Sequence, residues 1–212
     1  MHGFRRYVVL LMIMAALAVA VTACGGSGGS DDSSGSGDTG STATSGGTTT
    51  YTNDQYGFSI TYDTMFTQGE PVAGTGAGGS SVLDVVFADK DGPVVSDRYV
   101  DAIQVSVYEL ARDVKPKEVP KLKSEVQGII DQMMSSISSA KVVEPLQEAE
   151  VNGLPGFAFK YTYAEGDTEL TAVSFFLFEG KNEYQITCQS TSENWDGLKS
   201  KFDAAVGSFT VQ

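Results

Sequence analysis

The sequence predicts an α+β domain in which helices cover an antiparallel β-sheet. Three features carry that expectation. Short segments between residues 56 and 188 alternate apolar and polar side chains, the period of a half-buried strand. Tight turns containing Gly, Asn or Asp join the later segments, which makes neighbouring strands antiparallel. Two stretches, near residues 117–137 and 195–206, instead space their apolar residues by three and four, the period of a helix lying on a core.

Residues 56–62 open the domain as a strand, with Tyr56, Phe58, Ile60 and Tyr62 on one face. A glycine-rich loop over 69–80 leads to a second strand, 82–88, which ends in the turn Asp89-Lys90-Asp91-Gly92-Pro93. Strand 102–110 puts Ile103, Val105 and Val107 on one face and Gln104, Ser106 and Tyr108 on the other. From Lys117 the positions Val119, Leu122, Val126, Ile129, Ile130, Met133, Met134 and Ile137 make a helical stripe, entered through Pro116 and Pro120. Residues 142–151 and 156–163 form a hairpin about Asn152-Gly153, the dipeptide that supplies the positive φ values of a type I′ turn. Strand 170–178 follows, Glu179-Gly180-Lys181-Asn182 turns the chain, and 184–188 runs back. Ser192 is placed to cap a last helix whose stripe is Trp195, Leu198, Phe202, Ala205 and Val206. Gly207 ends that helix, and Phe209 and Val211 close the chain as a short strand.

The N-terminus is of another kind. Arg5 and Arg6 precede an apolar run over 8–21, short for a bilayer span of about 20 residues but of the length of a signal-peptide core. Val21-Thr22-Ala23-Cys24 then resembles the bacterial lipobox, whose cysteine takes the acyl chains and becomes the first mature residue. The chain therefore divides into a lipoprotein signal peptide at 1–23, a lipidated Cys24 with a disordered Gly/Ser/Thr linker at 24–50, and one domain at 51–212. Ala43 is the only apolar side chain in 25–50, too little to offset the entropy of ordering that segment. Its Gly25-Gly26-Ser27-Gly28-Gly29 matches the hydrolase pattern G-x-S-x-G without the strand and helix that motif needs.

Of the 14 basic and 27 acidic residues, Arg5, Arg6, Asp31, Asp32 and Asp38 fall outside the domain, which leaves 12 against 24 and a net charge of −12. Such a surface repels phosphate and excludes nucleic acid as a partner. The single histidine, His2, leaves with the signal peptide, so the mature chain has no imidazole for Ser-His-Asp or Cys-His catalysis or for zinc. Cys188 lies in an apolar alternating segment with no partner thiol and reads as buried and inert. Asp89, Asp91 and Asp97 crowd one turn without the spacing of an EF-hand loop. Gly74-x-Gly76-x-Gly78-Gly79 precedes a strand, where a phosphate cradle needs a helix N-terminus. No catalytic, cofactor-binding or metal-binding residue emerges, and Cys24 stands alone as a modification site.

Tyr56-Gly57-Phe58-Ser59-Ile60 with Tyr62, then Gly153-Leu154-Pro155-Gly156, then Tyr184-Gln185-Ile186-Thr187, then Trp195, Phe202 and Ser208-Phe209, occur in an order that resembles the PsbP/Mog-like superfamily. Its bacterial lipoprotein branches include the DcrB-like and LpqN-like proteins. Asp63 departs from the pattern, which often has proline after the tyrosine. The resemblance implies an α/β/α sandwich and a binding or assembly module. Together the readings give a lipid-anchored binding or accessory protein without catalytic activity, outside the bacterial cytoplasmic membrane. Its partner would be an envelope protein or a small ligand, and it would need no cofactor. Two rivals stand beside it: a lipid or small-molecule carrier with an apolar cavity between helix 117–137 and the sheet, and a hydrolase working through carboxylates alone.

Overall fold

The computed structural model describes residues 40–45, 47–76 and 80–212. In chain order these form β1 (Gly40–Ser45), β2 (Thr48–Asn53), β3 (Phe58–Asp63), β4 (Phe66–Gln68), β5 (Val72–Ala73), β6 (Leu83–Asp89), β7 (Val94–Val95), β8 (Arg98–Tyr99) and β9 (Ala102–Val114). A 3-10 helix (Pro116–Leu122) runs into α1 (Lys123–Ser136), and then come β10 (Lys141–Val151), β11 (Leu154–Glu165), β12 (Thr168–Thr191), α2 (Trp195–Ser208) and β13 (Thr210–Val211). Every strand pairing is antiparallel. A small sheet has the order β1-β2-β3-β13, and a large one the order β10-β11-β12-β9-β6-β4 with β5 also on β6.

The long strand β12 is two arms of one hairpin. The hydroxyls of Ser174 and Thr187 meet at 2.9 Å, and the Ser192 N–H donates to the Glu169 carbonyl at 2.9 Å. Thirteen residues of straight strand would separate Ser174 from Thr187 by about 43 Å. The chain must therefore reverse between them, and Gly180, at φ +59°, is placed to let it do so. This is the turn that Glu179-Gly180-Lys181-Asn182 announces in the sequence. The first arm pairs with β11 and the second with β9.

Two cores flank the large sheet. On one face Val85, Phe87, Ile103, Val105, Tyr184 and Ile186 meet the small sheet through Tyr51, Phe58 and Ile60, and α2 through Trp195, Leu198 and Phe202. Ring contacts cross this layer, with Tyr62 at 4.3 Å from Phe87 and Phe66 at 5.8 Å from Phe202. On the other face α1 lays Val126, Ile130 and Met133 over Phe157, Phe159, Phe176 and Phe178. The architecture is thus mainly antiparallel β with two helices. The expected α/β/α sandwich is met in part, since one outer layer is α1 and the other is shared between α2 and a second sheet.

Four expectations need correction. The stretch expected as linker through residue 50 holds β1 and the first half of β2. Threonine suits strands, and β2 turns Thr49, Tyr51 and Asn53 inward, an alternation hidden because two of the three inward residues are polar. The helix expected from Lys117 begins as 3-10, because Pro120 has no N–H and its ring obstructs the carbonyl four residues back. Ser192 does not cap α2: its hydroxyl bonds Thr171 at 2.8 Å, and Asn194 occupies the cap position. The glycine-rich loop is partly strand, with β5 on β6. By contrast Asn152 and Gly153 have φ of 48° and 84°, as a type I′ turn requires. The Asn152 amide also donates to the Gly207 and Phe209 carbonyls at 2.8 and 2.9 Å, tying this turn to the end of α2.

Candidate functional site

A helix is about 10 Å across and strands lie about 4.8 Å apart, so one helix covers roughly two strands. The α1 core draws on β10, β11, the first arm of β12 and the end of β9 at Leu110 and Val114, and takes nothing from β6 or from the second arm of β12. There the same sheet face carries polar side chains. Register places Glu183 opposite Tyr108, Gln185 opposite Ser106, and Thr187 opposite Gln104. Asp84 on β6 lies opposite Ser106 from the other side. The hydroxyl contact between Ser174 and Thr187 continues the row toward α1. The result is a polar strip beside the helix, produced by the alternation that sends Ile103, Val105, Val107, Tyr184 and Ile186 into the opposite core.

One part of the strip is saturated. Ser106 Oγ donates to Asp84 Oδ1 at 2.5 Å, Ser81 donates to Asp84 Oδ2, and Gln104 Nε2 reaches Asp84 Oδ1 at 3.3 Å and Ser106 Oγ at 3.0 Å. At the far end Tyr163 donates to Gln189 Oε1 at 2.5 Å, and the Arg98 guanidinium holds Tyr163 and pairs with Glu165. Gln189 Nε2 reaches the Val100 carbonyl at 3.2 Å.

Glu183 and Gln185 differ. Glu183 is 8 % exposed, and among the described residues its carboxyl has no hydrogen-bond or ion-pair partner. Burial alone pushes that carboxyl up from 4.5 to about 7. Gln185 Oε1, two residues along on the same face, is buried without a partner. Tyr108 between them and Asp84 has its phenol held far above the ordinary value, first by burial and then by the Asp84 and Glu183 carboxylates. The site offers unmet acceptors in a negative field with an aromatic wall, which is the chemistry of recognition.

The residues singled out in the sequence lie elsewhere. Cys24 is outside the described residues. Asp89 spends Oδ1 on the Asp91 N–H at 2.9 Å, and Asp97 takes φ 62° in the β7–β8 turn. Among the described residues no group of three His, Cys, Asp or Glu is arranged to hold a metal ion. Cys188 is fully buried and its thiol is pushed up by burial and then by Asp203. Gly74 is needed for close approach, since a Cβ there would sit 1.9 Å from the Ser81 carbonyl oxygen. The carrier reading expected a hollow beneath the helix. The α1 layer holds packed rings there, with Phe159 at 6.0 Å from Phe176 and Phe157 at 6.3 Å from Phe178. An open hollow of about 280 Å³ lies at its margin, against Pro116, Pro120, Glu148, Glu150 and Phe157. Glu183 and Gln185 escaped the sequence reading; the signal was the run Glu183, Gln185, Thr187, Gln189, polar at every second position.

The layered antiparallel architecture is that of a β-rich domain with two helices. Residues 46–211 match the PsbP family, and the chain belongs to it. Cyanobacterial PsbP (CyanoP) from Synechocystis sp. PCC 6803 is similar in fold, with 16% identity and a TM-score of 0.53, over 87% of this chain and 98% of that one. LpqN of Mycobacterium tuberculosis, described as involved in cell envelope biogenesis, matches at 10% identity and a TM-score of 0.46, over 63% of this chain and 73% of its own. No curated protein matches the chain. Among the described residues no helix is long and apolar enough to cross a membrane.

Proposed function

We propose that this chain is a lipid-anchored extracytoplasmic binding or accessory protein, without catalytic activity, whose PsbP domain recognises an envelope ligand or partner through the polar strip. The observation that carries the binding role is the largely buried Glu183, without an ion-pair partner among the described residues, beside the buried and unpartnered Gln185 Oε1 on one sheet face. Leaving such groups unpaired costs stability, and a recognition site is where that cost is recovered on binding. The order of Arg5-Arg6, the apolar run, Val21-Thr22-Ala23-Cys24 and the polar spacer supports the location. Two or more acyl chains would make the attachment durable.

The test is metabolic labelling with a fatty-acid probe, with and without globomycin, in cells expressing the chain or Cys24→Ala. The expected result is label on the chain at Cys24, accumulation of unprocessed precursor under globomycin, and release of Cys24→Ala from the membrane fraction. Retention of both label and location in Cys24→Ala would end the anchoring claim.

A further inference from the structure

Resting on the reading of the strip as a recognition face, we infer that its open end binds an ammonium group, with Glu183 and Gln185 Oε1 as the acceptors and Tyr108 as the aromatic wall. The strip has two kinds of acceptor. Those of Asp84 are filled by Ser106, Ser81 and Gln104, all neutral donors from this chain. Gln185 Oε1 is buried without a partner, and the largely buried Glu183 makes no ion pair with the described residues. A buried carboxylate keeps its charge only at a large desolvation cost unless a cation compensates it. The ion pairs of the described residues are Arg98–Glu165, Arg112–Glu118, Lys199–Asp203 and Lys201–Asp63, so no lysine or arginine serves Glu183.

A neutral hydroxyl would supply a donor and leave the charge uncompensated. A divalent metal would need more ligands than one carboxyl and one amide, and no such group is assembled here. An ammonium supplies both charge and three tetrahedral donors. Two acceptors on residues i and i+2 of one strand, about 7 Å apart at Cα, are within reach of one such head. Tyr108, opposite Glu183 in register, brings an aromatic ring to the neighbourhood of the cation. Asp84, which with Glu183 raises the Tyr108 phenol, deepens the negative field.

The experiment is isothermal titration of the full chain in detergent, at pH 8 and about 0.15 M salt to screen the general surface charge. Butylammonium is compared with 1-butanol, which keeps the alkyl tail and removes the charge. The expected result is one saturable site for butylammonium and none for 1-butanol. Glu183→Gln should weaken butylammonium by about tenfold or more, and Gln185→Met, which keeps the length and loses the oxygen, by several-fold. Emission from Trp195 confirms that both variants are folded. Equal binding of 1-butanol would overturn the ammonium assignment while leaving the strip a binding face. No saturable binding of either probe would overturn the assignment together with the strip as a small-ligand site. Binding of butylammonium that Glu183→Gln leaves unchanged would place the cation elsewhere and overturn it as well.

Discussion

Replacing Glu183 by Gln should make the protein more stable, and only on the alkaline side. The native carboxyl sits at about 7 against an ordinary 4.5. Between those values the native state holds a proton that the unfolded chain has released, so stability falls as pH rises. The favourable contribution is complete below 4.5 and is lost as pH climbs through about 7. A displacement of roughly 2.5 pH units corresponds to about 3 kcal/mol. At pH 8 the wild-type chain carries that penalty and Glu183→Gln does not. Below pH 4.5 both present a neutral, similarly shaped group and should differ little. Urea unfolding followed by Trp195, the single tryptophan, reads this directly. The expected difference is close to zero at pH 4.5 and reaches about 3 kcal/mol in favour of Glu183→Gln by pH 8. Parallel pH profiles for the two proteins, or a variant less stable at pH 8, would refute the claim that Glu183 is buried without a compensating partner.

Other substitutions probe the scaffold. Gly156→Ala would put a Cβ 2.0 Å from the Phe176 carbonyl oxygen; the forced separation of β11 from β12 should cost about 2 kcal/mol or more, read as a lowered urea midpoint. Phe202→Ala, at a side chain 1 % exposed between Phe66 and Trp195, should cost about 3–5 kcal/mol in the same assay. Asn152→Gly keeps the positive φ and loses the amide bonds to Gly207 and Phe209; a loss of about 1–3 kcal/mol is expected, and Asn152→Ala, which also strains the turn, should lose more. A chain begun at Tyr51 lacks β1 and half of β2 and should unfold at a lower temperature than one begun at Gly40. Equal melting temperatures would restore residue 51 as the domain start.

Local rules made much of the fold legible. Asn152-Gly153 fixed a hairpin because few other dipeptides tolerate two positive φ values, and Gly180 marked a reversal for a related reason. The faces of β9 could be assigned residue by residue, since apolar and polar positions alternate without a break from Ile103 to Tyr108. Where side-chain chemistry and backbone preference disagree, the reading failed. Residues 48–50 are three threonines, polar enough for a linker and β-branched enough for a strand, and pairing with β3 decides between the two. Pro120 sits on a helical stripe that its ring prevents from being α-helical. The strip was illegible for another reason. Its members lie on β6, β9 and β12, and each alone is an ordinary outward-facing polar residue. Only the register that sets Gln185 beside Ser106, and the narrow reach of α1, turns them into one half-covered surface.

The position of the small sheet has a practical consequence. Gly40, the first described residue, begins β1 at the edge of that sheet, whose core-facing rings pack against the side of the large sheet away from Glu183 and Gln185. Gly40 therefore lies in the layer behind the recognition face. A purified sample coupled to a sensor chip through residues of the small sheet would show its recognition face to the flowing solution, whereas coupling through lysines such as Lys123 on α1 would crowd that face.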